Sequence, residues 1–256
     1  MICDDPSVST SDAALAAALA TDAGRLLLEV RAELGYDDPR TLKDAGDQRS
    51  HDFLMAKLAA KRPDDVVLSE EGADNPARLT AKRVWIVDPL DGTREFSEVG
   101  RTDWAVHVAL WEDGELVAGA VALPAEDLTL ASDPAPQLAD PAAGPPRVLA
   151  SRTRAPEVVG QVTEALGGRT VLMGSAGAKV MAVVRGEADV YVHGGGQYEW
   201  DSAAPVVVAR AAGLHTSRLD GSPLRYNQEN VSLPDLVVCR PELASAVLAV
   251  TRTVTG

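Results

Sequence analysis

Between positions 133 and 146 the chain carries prolines at 134, 136, 141, 145 and 146. Proline has no amide hydrogen and a fixed φ, so neither a helix interior nor a central strand runs through such a stretch. It reads as a linker or surface loop. It divides the chain into an N-terminal domain over 1–140 and a C-terminal domain over 147–256. Ahead of it, Ser11 and Asp12 offer an N-cap to an Ala- and Leu-rich helix that ends at Leu34, before Gly35. A second helix is predicted over 50–61, stopped by Pro63. Residues 84–87 have the β-branched and aromatic character of a strand that ends at Asp88-Pro89. Apolar runs at 104–111 and 116–123, joined by Asp113-Gly114, read as a hairpin. Beyond the prolines, strand patterns at 148–150, 170–173, 189–193 and 236–239 alternate with helical ones at 156–166, 176–185, 201–212 and 241–250. The first half is thus predicted as helices plus an antiparallel sheet, an α+β arrangement, and the second as α/β.

Apolar residues make up 46% of the 256, enough for a sizeable core. Lys and Arg total 24 against 38 Asp and Glu, a formal net charge of −14. That surface repels phosphate backbones and anionic lipid, so neither a nucleic-acid polymer nor a membrane is expected as a partner. Carboxylates spent on cations would still allow a small anionic ligand. Cys3 and Cys239 make no disulfide framework, and no Cys/His spacing suits structural zinc. The start, Met1-Ile2-Cys3-Asp4-Asp5, lacks the basic and apolar character of a signal peptide, and no apolar run of about 18 residues occurs. A cytoplasmic protein is expected.

The segment Asp88-Pro-Leu-Asp91-Gly92-Thr93 places two carboxylates at the end of a strand, three residues apart. Carboxylates from one tight turn can share hard cations. Gly92 admits close approach of a ligand, the Gly92 and Thr93 amides can face a phosphate oxygen, and the Thr93 hydroxyl can orient a water. The same residues also suit an ordinary turn. Glu70-Glu71 ends another apolar run and by itself would be a solvated pair. Asp47 alone reads as a loop or cap carboxylate, and Asp201 alone as an N-cap. Their significance depends on convergence: two cations need several oxygen ligands, and can activate water on one side and neutralise the leaving oxygen on the other. The triple glycine 194–196 has no dinucleotide-binding spacing.

Asp88-Pro-Leu-Asp-Gly-Thr93, with Glu70-Glu71 before it and Trp200-Asp201-Ser-Ala-Ala after it, resembles the inositol monophosphatase superfamily over almost the whole chain. Closer detail is similar to the actinobacterial CysQ group of 3'-phosphoadenosine 5'-phosphate phosphatases of sulfur assimilation. It lies in Trp85–Phe96, Gly174-Ser-Ala-Gly-Ala-Lys179, Glu199-Trp-Asp201 and Leu219–Asn227. The resemblance implies a layered αβαβα sugar-phosphatase fold, lithium sensitivity and two or three Mg2+ ions. It implies metal ligation by Glu70, Asp88, the Leu90 carbonyl, Asp91 and Asp201. It implies that Asp47, Glu70 and Thr93 position and deprotonate the attacking water. Asp91, Gly92, Thr93, Ser175, Lys179, Tyr198, Glu199 and Asp201 are the implied substrate contacts. Many relatives are dimers, so a homodimer is a further expectation.

Two departures stand out. The run Asp44-Ala45-Gly46-Asp47 replaces a Thr-x-x-Asp common in relatives, and His193 stands where bacterial nucleotidases often hold Arg. The expected reaction is hydrolysis of 3'-phosphoadenosine 5'-phosphate to AMP and phosphate by a metal-activated water. Inositol phosphates and fructose 1,6-bisphosphate are the alternative substrates. A non-catalytic cation-binding protein is the alternative of another class.

Overall fold

The structure, a computed structural model, describes residues 11–141, 143–153 and 155–254. Helix α1 (Asp12–Leu34) begins where the Ser11 hydroxyl accepts the Ala14 N–H at 3.2 Å. Helix α2 (Pro39–Lys61) begins well before the predicted Ser50. Asp38 caps it by accepting the Arg40 and Thr41 N–H groups, and Pro39 occupies the first turn, where no amide is needed. A Cβ at Gly46 would lie 2.7 Å from Phe96, so glycine is the residue that lets α2 pack there.

The first sheet has the order β1-β2-β3-β4-β5. Its strands are β1 (Val66–Ser69), β2 (Arg83–Asp91), β3 (Ala105–Glu112), β4 (Glu115–Leu123) and β5 (Leu128–Ala131). It is mixed rather than antiparallel, because β1 runs parallel to β2. The β3–β4 hairpin turns at Asp113 and Gly114, both at positive φ. Contrary to expectation, β2 does not stop at Asp88. It continues through Pro89 to Asp91, and a register shift between Asp88 and Asp91 excuses the proline from the ladder. A four-residue helix, α3 (Thr93–Phe96), follows Gly92. Among the described residues, 133–146 contains no helix or strand.

The second sheet has the order β7-β6-β8-β10-β9. It comprises β6 (Arg147–Ser151), β7 (Arg169–Met173), β8 (Val190–Tyr198), β9 (His215–Ser217) and β10 (Ser232–Cys239). β6 is parallel to β7 and β8, and β10 is antiparallel to β8 and β9. β8 runs on past His193 through the glycines, where its ladder with β10 slips between Leu233 and Asp235. The short strands β5 and β9 carry too few residues to register as periodic signals.

Side chains alternate along β3. Val106, Val108 and Leu110 face α1 and α2, whereas Ala105 and Ala109 face the other way. That other face packs on α5 (Ala176–Val184) and α6 (Glu199–Ala211), which also cover Tyr191, Leu236 and Val238 of the second sheet. The far face of the second sheet packs on α4 (Glu157–Ala165) and α7 (Ala244–Val254). The layers are therefore α1/α2, sheet, α5/α6, sheet, α4/α7. The pairing of layers follows from helices and sheets each burying an apolar face. No described helix is long and apolar enough to cross a membrane.

Candidate active site

Asp88 and Asp91 leave the end of β2, and Asp201 lies in the first turn of α6. One carboxylate oxygen from each lies within 4.8 Å of the others. The register shift in β2 aids this, since it brings both aspartates of one strand to the same place. Asp88 is 1% exposed and Asp91 7%. Buried carboxylates this close repel one another and favour protonation unless a cation joins them. Burial pushes Asp88 well above the ordinary carboxylate range, and Glu70, Asp91 and Asp201 push it further. Burial and Asp91 likewise raise Asp201 to about 7. Asp91 is the exception. Burial opposes its charge, yet His107, the Ser175 hydroxyl and the Gly177 N–H hold it at about 2.

Glu70 stands outside this tight triad, on the open side, and its carboxyl is close enough to Asp88 to share a proton. Partial burial and its carboxylate neighbours, Glu71 foremost, push it to about 7. Asp47, on α2, reaches the Thr93 hydroxyl, and burial with Glu71 and Asp44 raises it to about 7 as well. The Thr93 Oγ1 hydrogen is given to the Leu90 carbonyl at 3.2 Å, and the Leu90 N–H donates to Asp88 at 3.1 Å. Ser50, on α2, donates to the Pro89 carbonyl at 2.7 Å and steadies the same turn. Gly92 adopts φ +85°, and a Cβ there would meet Ser175 and the Asp103 carbonyl at 3.1 and 3.2 Å. Oxygen donors alone, several of them charged, suit a hard divalent cation rather than a soft metal.

The remaining sequence-predicted residues fall into two groups. Ser175 and Lys179 sit behind the carboxylates, not in open space. Ser175 Oγ donates to Asp91 Oδ2 at 2.5 Å and accepts the Ala178 N–H at 2.9 Å, capping α5. Lys179 is 4% exposed, with Nζ donating to the Gly174 carbonyl and lying 5.1 Å from the Tyr191 ring centre. Burial lowers its pKa, against the pull of Asp91, Glu95 and Asp103. Glu199 is 1% exposed, and its two oxygens accept the N–H groups of Asn227 and Gln228 at 2.6 and 2.8 Å. The buried Arg78 joins that assembly through Asn227 Oδ1 and the Gln228 carbonyl, and pairs with Asp74. The loop after Glu70-Glu71 is thereby tied to the start of α6. Tyr198, by contrast, is 47% exposed and stacks on Trp200 at 4.9 Å. Its N–H donates to Asp201 Oδ2 at 2.6 Å, so Asp201 closes the first turn of α6 as well as belonging to the triad.

Sequence reasoning missed His107. Fully buried on β3, it places Nε2 3.2 Å from Asp91 Oδ2 and donates from Nδ1 to the Trp200 carbonyl at 3.1 Å. The available signal was a lone polar residue on the inward face of an otherwise apolar strand.

The inositol monophosphatase family model matches residues 9–135 and 147–254. A Mycobacterium leprae protein named 3'-phosphoadenosine 5'-phosphate phosphatase is 52% identical, the match covering 98% of this chain and 97% of that one. The Escherichia coli protein named 3'(2'),5'-bisphosphate nucleotidase CysQ is 32% identical over 71% of this chain and 78% of its own. Among solved structures, CysQ from Bacteroides thetaiotaomicron superposes with a TM-score of 0.77. It is 27% identical and covers 90% of this chain and 97% of that one. Inositol monophosphatase II of Staphylococcus aureus shares the fold at 22% identity and a TM-score of 0.75, covering 90% and 91%. A family match across both sheets and the converging carboxylates identifies the chain as a member of the inositol monophosphatase family.

Proposed function

We propose that this protein is a Mg2+-dependent phosphomonoesterase that hydrolyses 3'-phosphoadenosine 5'-phosphate to AMP and phosphate. The observation that carries this is the convergence of the buried Asp88 and Asp91 with the partly buried Asp201, beside Glu70, Asp47 and Thr93. The substrate follows from the relatives, the mycobacterial proteins named 3'-phosphoadenosine 5'-phosphate phosphatase.

Asp88, Asp91 and Asp201, with Glu70 and the Leu90 carbonyl, would hold two or three cations. A divalent cation there supplies a lowered water pKa and neutralises charge on the phosphate and the leaving oxygen. Asp47 and Thr93 form a hydroxyl–carboxylate pair that, with Glu70, holds the attacking water and takes its proton. Both carboxyls lie beside the Thr93 turn, where a water between them and the cations can be held and deprotonated. The Gly92 and Thr93 N–H groups face the phosphate oxygens. Ser175 and Lys179 act from behind, by fixing Asp91 and the Gly174 turn, and Glu199 acts by holding 227–228 in place.

The rest of the substrate would lie in a cavity of about 510 Å³ lined by Arg94, Ser151, Thr153, His193, Gly195 and Gly196. Arg94 follows Thr93 directly, so an exposed, permanently charged cation borders the cavity and could meet a second phosphate. Tyr198, exposed and stacked on Trp200, offers a flat apolar surface on the approach.

Phosphate release from 3'-phosphoadenosine 5'-phosphate, an inositol monophosphate and fructose 1,6-bisphosphate at equal concentration, with Mg2+ and then with added Li+, tests the reading. The nucleotide should be cleaved fastest and Li+ should inhibit. Faster cleavage of either sugar phosphate overturns the substrate assignment, and no cleavage of any overturns the enzyme assignment.

A further inference from the structure

His107 lies at a junction of four elements. It belongs to β3, touches Asp91 of β2 through Nε2 at 3.2 Å, and reaches the Trp200 carbonyl of α6 through Nδ1 at 3.1 Å. Asp201 is the next residue after that carbonyl. The fourth element is α5, where Gly177 donates its N–H to the same Asp91 oxygen at 2.7 Å. A Cβ at Gly177 would stand 2.0 Å from His107 Nε2. Glycine disfavours a helix interior, yet at this place in α5 only glycine leaves room for the imidazole. The ring and the missing methyl are thus a matched pair, and both are directed at Asp91.

We propose that His107 is a positioning residue that sets the separation between Asp91 and the first turn of α6. The carboxylates of Asp91 and Asp201 thereby converge on one divalent cation. A rigid ring that donates to one partner through Nδ1 and lies against a carboxylate on its other side can fix a distance that a flexible side chain cannot. Groups of this kind orient metal-ligating side chains, and their loss weakens metal affinity by about 10–100-fold. The inference rests on the proposed metal role of Asp91 and Asp201.

The test is Mn2+ binding to the full chain without substrate, followed by electron paramagnetic resonance of the free ion. Circular dichroism and urea unfolding serve as folding controls. His107→Leu should weaken Mn2+ binding by about 10-fold or more. In turnover it should raise the Mg2+ concentration for half-maximal rate more than it lowers kcat at saturating Mg2+. His107→Gln, whose amide can still reach Asp91, should recover most of the affinity. A folded His107→Leu protein that binds Mn2+ as tightly as the wild type overturns the assignment of His107 alone. A wild-type protein that binds no Mn2+ overturns the metal reading together with it. Should His107→Leu not fold, His107→Asn replaces it. Its amide is too short to reach Asp91, and binding equal to that of His107→Gln overturns the proposal.

Discussion

Ser175 and Asp91 meet across the boundary between β2 and the head of α5, with Ser175 Oγ donating to Asp91 Oδ2 at 2.5 Å. The same hydroxyl caps α5 by accepting the Ala178 N–H. One side chain therefore starts a helix and, with His107 and the Gly177 N–H, helps to keep a buried carboxylate ionised. Ser175→Ala removes both contacts and should cost about 1–2 kcal/mol of stability. Chemical denaturation of the two proteins checks this, and an unchanged midpoint would contradict the double role.

Asp88→Asn should separate stability from activity. Asp88 is buried among Glu70, Asp91 and Asp201, so the metal-free fold relieves their repulsion only by taking up a proton, which costs stability near neutral pH. Asparagine removes that repulsion at nearly constant volume. The metal-free variant should melt higher than wild type, by about 2–4 °C for each kcal/mol relieved, while kcat falls by several orders of magnitude. Calorimetry and phosphate release measure the two effects. Near wild-type turnover would remove Asp88 from the metal site.

The pH dependence of metal-induced stabilisation follows from three raised carboxyls. Asp47, Glu70 and Asp201 titrate at about 7 in the folded protein and near 4 in an unfolded chain. The folded state binds the extra protons between those values. Their favourable contribution is therefore fully present below about pH 4 and is lost as pH rises through about 7. Mg2+ competes with those protons, so its stabilising increment should be larger at pH 8 than at pH 5.5. Melting curves with and without Mg2+ decide this, and equal increments would refute it.

Gly177→Ala should be costly alone and harmless in the right background. With His107 present, the added methyl meets Nε2 at 2.0 Å, and crowding of this kind costs roughly 1–3 kcal/mol. In a His107→Ala protein the clash is gone, and alanine in place of glycine gains up to about 1 kcal/mol of helix propensity. Urea unfolding of the four members of the cycle should show strong coupling. Additive effects would mean that the two residues do not share this space.

Much of this molecule could be read from the chain because its strongest signals are local. Ser11 and Gly35 bracket α1, Asp113-Gly114 turns the hairpin, and the prolines of 133–146 exclude regular structure. The carboxylates of the site were legible as a set only through their motifs. Asp201 alone does what an N-terminal helix carboxylate ordinarily does, accepting the Tyr198 N–H. What escaped depends on tertiary contacts. Gly46, a poor helix former, sits inside α2 because Phe96 and Leu90 fill the space over it, and β2 passes Pro89 because its register slips there. Nothing in the neighbourhood of His107 in sequence announces a residue that bridges Asp91 and Trp200. Lys179 and Glu199, expected at the substrate, instead have their polar atoms engaged by the protein itself.

Helix α6 lies between the two sheets, and nine of its thirteen residues are buried. It furnishes a wall to both sheets while its first turn presents Asp201. A substitution in its body is therefore felt by two cores and by the carboxylate cluster at once. The outer helices α1 and α4 each keep a solvent face and answer to a single sheet. Sequence drift in this chain has its widest latitude on those outer faces, whereas α6, like the wholly buried α5 beside it, has little freedom to change.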